Sequence, residues 1–280
     1  MKKLVTAACA LAAGLALAEE PTGVVSGNTV GYQEFTVQGK QNGNTTWYQF
    51  GVQFKGVGAA EDTIAVTDAI TSSDLPAVTW RNKSTGPQLQ FWDGVGYANF
   101  YYISNAYGTP AKTSGDNRHT GWANDNQVLA STDLIGLGKA FWFKADNIPS
   151  GSTATLKIVG EVLAEGTKTL PLASGDEWAM LSDPFPADVI VTNIACSLPA
   201  VTWRNKSTGA QIQIWDGEGY ANFYYISNAY GTPAKTSGDN RHTGWANDSQ
   251  VLAGETINAG TGFWVKNPSK AAGTLTFTLQ

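Results

Sequence analysis

The chain has 280 residues, 42% hydrophobic and 15% charged, with 31 Gly, 11 Pro, 10 Trp and 10 Tyr, a composition that favours folded domains, about two of ordinary size, over disorder. A formal charge of −5 disfavours nucleic acid, whose phosphates recruit basic surfaces. With 2 His and 2 Cys, little is left for an imidazole- or thiolate-rich metal site.

At the amino terminus, Met1-Lys2-Lys3 is a basic start, Leu4 to Leu17 an apolar run, and Ala16-Leu17-Ala18 an A-x-A cleavage site ahead of Glu19-Glu20-Pro21. That is the layout of a secretory signal peptide over residues 1–18. The run falls short of the roughly 20 residues a membrane-spanning helix needs, and no later segment approaches that length without charge. The expectation is a soluble exported protein, secreted or at the outer cell surface, with no transmembrane anchor. A lipoprotein anchor at Cys9 would leave no working apolar region ahead of it. Cleavage removes Lys2 and Lys3, which deepens the negative charge, and Cys9, which leaves Cys196 as the remaining thiol. Cys196 ends the apolar stretch from Val189 and reads as a buried, inert side chain; intermolecular pairing in an oxidising compartment is the alternative.

Strands then dominate. Thr29 to Val37 is β-branched and aromatic, and Gln49 to Phe54 alternates in places. Asp62 to Ser73 suits a short helix, although its β-branched residues fit strand or loop as well. Ala77-Val78-Thr79-Trp80-Arg81 predicts a strand with Val78 and Trp80 on one face, ended by a turn at Asn82-Lys83-Ser84-Thr85-Gly86. Gln88 to Trp92 alternates strictly, as does much of Tyr97 to Ile103, and Asp93-Gly94-Val95-Gly96 between them is a strong hairpin signal. Ser104 to Gln127 reads as a long polar loop around Pro110, partly packed through Tyr107, His119 and Trp122. Gly138 to Phe143 and Ala154 to Val159 complete the strands.

The same unit is written twice. Pro76 to Ala130 aligns without a gap onto Pro199 to Ala253, differing only at Pro87/Ala210, Leu89/Ile212, Phe91/Ile214, Val95/Glu218 and Asn126/Ser249. More loosely, Trp47 to Phe50 answers Trp178 to Leu181, Asp62 to Ser73 answers Asp188 to Ser197, and Phe141-Trp142-Phe143-Lys144 answers Phe263-Trp264-Val265-Lys266. Matched terminal strands put the boundary near Gly160 to Gly166, giving domains at 19–162 and 163–280. The fold class expected is all-β: two tandem homologous antiparallel β-sandwich domains, with a jelly roll as the near alternative.

The hairpin carries most of the functional inference. Pairing Trp92 with Tyr97 sets Gln90 opposite Asn99 and Gln88 opposite Tyr101, and directly opposed side chains share a face. One face then holds Gln88, Gln90, Trp92, Tyr97, Asn99 and Tyr101; the other holds Leu89, Phe91, Ala98, Phe100 and Tyr102. In the second copy the first face is Gln211, Gln213, Trp215, Tyr220, Asn222 and Tyr224. Leu89/Ile212 and Phe91/Ile214 exchange apolar for apolar on the core face, and Val95/Glu218 admits a charge at the turn tip. A one-residue bulge would invert one strand. Turned to water, the aromatic-amide face suits a glycan, since a sugar ring offers an apolar C–H face to an aromatic plane and hydroxyls to amides. Two copies would act together through effective concentration. Competing readings bury the rings beneath the following loop or between the two domains, or use them as a protein interface.

Asp116, Asn117, Asn124 and Asp125, with Asp239 and Asp248 in the second copy, offer oxygens to calcium, but without the spacing of a calcium-binding loop. No other metal and no cofactor is expected. A hydrolase would have to draw on Asp116, Asp125 and His119, because Asp93 is committed to its turn. No nucleophile elbow, zincin helix or phosphate loop is present. His119 and His242 read as structural hydrogen-bond partners.

Four pieces, Asn28 to Tyr32, Leu181 to Pro186, Ile214 to Tyr220 and Gly260 to Pro268, span most of the chain beyond the signal peptide. With them the sequence resembles a class of secreted β-rich tandem-repeat proteins of planctomycete and verrucomicrobial bacteria, for which no activity is settled. The resemblance implies export and tandem β domains and says nothing of ligand. The first copy departs from it at Phe50-Gly51-Val52-Gln53-Phe54, where the second has Asp183-Pro184-Phe185-Pro186. The function expected is an exported, non-catalytic binding or adhesive module with glycan the preferred ligand. The alternative is a structural envelope or matrix protein that assembles with copies of itself through the same aromatic faces.

Overall fold

The structure, a computed structural model, describes residues 29–40, 44–108, 118–175, 177–231 and 241–279. The candidate signal peptide with Cys9, and the candidate calcium ligands Asp116, Asn117 and Asp239, lie outside them. The alternating segments form strands. In the N-terminal half these are β1 (Val30–Gln38), β2 (Trp47–Gly51), β3 (Thr63–Ala65), β4 (Ile70–Thr71), β5 (Gln88–Trp92), β6 (Tyr97–Tyr107), β7 (Arg118–Ala123), β8 (Leu134–Gly136), β9 (Ala140–Lys144) and β10 (Thr153–Glu161). The C-terminal half adds β11 (Thr167–Leu172), β12 (Glu177–Ser182), β13 (Val189–Ile190), β14 (Ala195–Cys196), β15 (Gln211–Trp215), β16 (Tyr220–Tyr230), β17 (Arg241–Ala246), β18 (Thr256–Ile257), β19 (Gly262–Asn267) and β20 (Gly273–Thr278).

Each half repeats one arrangement: a three-stranded sheet (β1-β10-β4, β11-β20-β14), a five-stranded sheet (β2-β9-β5-β6-β7, β12-β19-β15-β16-β17) and a two-stranded ribbon (β3-β8, β13-β18). The fold is all-β and sandwich-like, in two similar sets of antiparallel sheets. The expected hairpin register holds in both copies, Trp92 opposite Tyr97 and Trp215 opposite Tyr220, so the division of faces holds as well. The Asp-Gly turn forms because the Asp93 carboxylate accepts the backbone N–H of Val95 and Gly96, both at 2.8 Å, while Gly94 takes φ +107°.

One face of each five-stranded sheet is core. Leu89, Phe91, Phe100, Phe141 and Phe143 pack with Val37, Ile70, Leu156 and Ile158 of the three-stranded sheet. Ile212, Phe223, Phe263 and Val265 pack likewise with Leu170, Leu275 and Phe277. Val162 packs against the first cluster and Leu163 belongs to the second. Cys196 is a free thiol packed against the second core, and burial pushes its pKa up to about 11, which leaves it protonated and unreactive at neutral pH. No helix among the described residues is long and apolar enough to cross a membrane.

Three local expectations are corrected. Trp80 is not on a strand: Trp80–Thr85 is a 3₁₀ helix, in which the Trp80 N–H is bound by the Asn105 side chain at 2.8 Å, and Val78 makes only an isolated bridge to Ile103. Turn-forming residues from Asn82 to Gly86 extend their tight winding back through the indole. Asp62 to Ser73 holds one helical turn, Val66–Ala69, between two short strands, because the flanking β-branched residues pair as β3 and β4. The described parts of Ser104 to Gln127, residues 104–108 and 118–127, are largely strand and not loop. β6 runs on to Tyr107 past a bulge between Ile103 and Ala106, and β7 returns from Arg118; small and polar residues there pair through their backbones without an apolar alternation to announce it.

The halves are joined by a reciprocal seam at the ends of four strands. Phe50 of β2 bridges to Thr261 ahead of β19, and Leu181 of β12 bridges to Lys139 ahead of β9. Gly51 N–H donates to the Gly260 carbonyl and Ser182 N–H to the Gly138 carbonyl, both at 2.8 Å. Backbones approach this closely only where side chains are missing. A Cβ on Gly262 would lie 2.7 Å from Ala140 Cβ, and one on Gly51 would collide with Ser182 Cβ. Gly51→Val should therefore destabilise the chain by about 1–3 kcal/mol through overpacking. In urea unfolding monitored by circular dichroism, an unchanged midpoint would show that the halves separate freely.

Candidate functional site

The seam turns the aromatic-amide faces of the two five-stranded sheets toward each other. Parity along the strands assigns their members. Trp142 lies opposite Gln90 and Trp47 lies beside it on β2, opposite Lys144; Trp264 lies opposite Gln213, and Trp178 opposite Lys266. Trp92 packs edge-on to Trp264 of the other half at 5.8 Å, and Trp215 packs edge-on to Trp142 at 5.9 Å. Each also meets the Tyr of its own hairpin, Trp92 with Tyr97 and Trp215 with Tyr220, at 5.1 Å. The Trp142 indole lies beside the Tyr97 phenol and the Trp264 indole beside the Tyr220 phenol, where each favours the charged phenolate. Burial raises both phenol pKa values.

Two clefts of about 300 Å³ result. One is lined by Trp47, Gln90, Tyr97, Trp142, Trp215 and Tyr220, the other by Trp92, Tyr97, Trp178, Gln213, Tyr220 and Trp264. Tyr97 and Tyr220, each 40% exposed, stand at both mouths. The chain matches no protein-family model, no curated protein and no solved structure.

The expectation that Trp92 and Trp215 face open water is corrected: both are half-buried against the opposite half, as the competing interdomain reading had it. The seam brings the sheets face to face, and long-range packing of that kind leaves no mark on local alternation. Six of the sequence-predicted residues lie outside the cleft linings and have partners of their own. The Gln88 amide donates to the carbonyls of Lys83 and Ser84, and Gln211 donates to Ser207, so both tie down the 3₁₀ turns. The Tyr101 ring is covered by Lys83 Nζ at 4.4 Å, with Trp80 on the same ammonium at 3.7 Å; Lys206 does the same between Tyr224 and Trp203. Burial and the neighbouring Asp125 carboxylate push the Tyr101 pKa up to about 12. Asn99 and Asn222 turn back onto the carbonyls of Tyr97 and Tyr220, and Asn222 also accepts from Gln213 at 2.9 Å.

Asp125 and Asp248 spend their carboxylates on Lys83 and Lys206, at 3.3 and 3.2 Å. No group of three or more potential metal-binding side chains occurs among the described residues. Sequence reasoning missed Trp47, Trp142, Trp178 and Trp264. Their signal was present, because Trp142 and Trp264 fall on the parity opposite to the core residues Phe141/Phe143 and Phe263/Val265.

Proposed function

We propose that this chain is an exported, non-catalytic binding module for a neutral glycan, held in the aromatic ground between its halves. The observation that carries the proposal is the lining of the clefts: indole and phenol rings beside a glutamine amide, with no basic side chain among them. Aromatic planes match the C–H face of a pyranose, and an amide matches hydroxyls because it both donates and accepts. A volume of about 300 Å³ lies at the lower end of small-ligand sites. Tyr97→Ala combined with Tyr220→Ala should reduce retention on xylan or cellulose at least tenfold while leaving the circular dichroism spectrum unchanged, since both rings stand at the cleft mouths. Retention equal to that of the unaltered protein would refute the proposal.

A second reading, self-assembly in an envelope or matrix, draws on β1. That strand lies at a sheet edge with Val30 61% and Tyr32 69% exposed, and an open edge is a template for another chain. Sedimentation over a range of concentrations separates the two: assembly without polysaccharide retention would favour the structural role.

A further inference from the structure

The two sides of the seam follow the same plan, but their walls differ. Beyond the Trp92 side lies a cavity of about 360 Å³ whose wall includes Pro171, Leu172, Ala173 and Met180. Beyond the Trp215 side the matching cavity is about 980 Å³, and the corresponding strands supply Thr36, Gln38 and Gln49. Gln49 therefore stands where the other half has Met180, since β2 and β12 occupy equivalent places in their sheets.

Gln49 is 6% exposed, and neither its amide oxygen nor its amide nitrogen has a hydrogen-bond partner. The Trp215 indole N–H is also buried without one, whereas the equivalent N–H of Trp92 donates to the Trp178 carbonyl at 2.8 Å. Unmatched buried polar groups are costly, and the methionine in the other half avoids that cost. Both Gln49 and Trp215 line the larger chamber, with their unpartnered polar atoms buried beside it. Trp47 and Trp215 line this chamber and the neighbouring aromatic cleft alike, so the two adjoin. Asp216 and Glu218 sit on its wall with no basic side chain beside them.

We infer that the sugar site is single and lies on the Trp215 side, where the aromatic cleft takes one ring of a neutral oligosaccharide and the Gln49 chamber takes the next. Hydroxyls, which donate and accept, satisfy the amide of Gln49 and the indole of Trp215 together. The acidic wall excludes uronate and sulfate chains. This inference rests on the glycan reading above and adds side, stoichiometry and charge class.

Titration calorimetry of the full chain with cellohexaose and xylohexaose tests it, with hexagalacturonate as the charged comparison. The expected result is one neutral hexaose per chain, affinity at least tenfold weaker in Gln49→Met, unchanged affinity in Met180→Gln, and no binding of hexagalacturonate. Gln49→Met should fold with an equal or higher melting temperature, because it removes an unmatched amide, so lost binding cannot be charged to unfolding. Two hexaoses per chain, full affinity in Gln49→Met, or equal binding of hexagalacturonate would overturn the inference while leaving glycan binding itself standing. Failure of the unaltered protein to bind either neutral hexaose would overturn the glycan reading and this inference with it.

Discussion

Trp245→Ala should cost the C-terminal half about 3–5 kcal/mol, the range for deleting a large aromatic side chain from a core. Trp245 is fully buried, packs against Tyr225 with the rings tilted and their centres 5.2 Å apart, and donates its indole N–H to the Ile194 carbonyl at 2.8 Å. That bond ties the five-stranded sheet to the turn leading into β14, so the ring serves as packing and as a strut. Trp245→Phe separates the two roles. Most of the ring volume stays, but the Ile194 carbonyl loses its donor, and a buried unmatched acceptor costs about 1–3 kcal/mol. The N-terminal half offers an internal control, because Trp122 is 2% exposed and donates to the Ile70 carbonyl at 2.9 Å. Trp122→Ala should lose a similar amount. Urea unfolding of the four proteins (unaltered chain and three variants) checks this. Equal midpoints for Trp245→Phe and the unaltered chain would show that the strut contributes nothing and that packing alone holds the sheet.

The same pair shows what sequence could and could not convey. Strict alternation from Gln88 to Trp92, with an Asp-Gly turn, was enough to fix the hairpin register and to sort Leu89, Phe91 and Phe100 inward. Those are local facts, decided by side chains two residues apart and by one turn. The duplicated block likewise made the second sheet set legible from the first. Where the outward face goes was not legible. Its destination depends on Gly51, Gly138, Gly260 and Gly262 allowing backbones from opposite halves to touch, and a glycine reads locally as a turn rather than as room for a distant strand. Tyr101 was misplaced for a related reason. Its ring is taken by Lys83, which reaches it only because residues from Trp80 wind as a 3₁₀ helix instead of extending as a strand. Gln49 could be read as polar on an alternating strand, but its isolation becomes visible only beside Met180 in the folded chain.

The seam also contains a group whose charge state should control stability. Asp183 is 5% exposed, accepts the Phe185 N–H at 2.9 Å, and lies two residues before a carbonyl that receives the Gln53 amide from the other half at 2.5 Å. Burial pushes its pKa up to about 7, against a smaller lowering by the Phe185 N–H. An unfolded aspartate titrates near 3.9. Between about pH 4 and pH 7 the folded chain keeps a proton that the unfolded chain has lost, so stability falls as pH rises through that window. Its contribution is complete below the window and absent above it. At about 1.4 kcal/mol per pH unit, the full span amounts to roughly 4 kcal/mol at most. Asp183→Asn keeps an acceptor for Phe185 N–H and cannot ionise. It should be more stable than the unaltered chain at pH 8, with the advantage shrinking steadily to nothing by pH 4. Denaturant midpoints of both proteins at four pH values between 4 and 8 decide this, and an advantage that does not vary with pH would place the titration elsewhere. Because Gln53 and Phe185 belong to opposite halves, the proposed glycan binding would, if charging Asp183 disturbs their contact, weaken over the same pH range in the unaltered chain and stay level in Asp183→Asn.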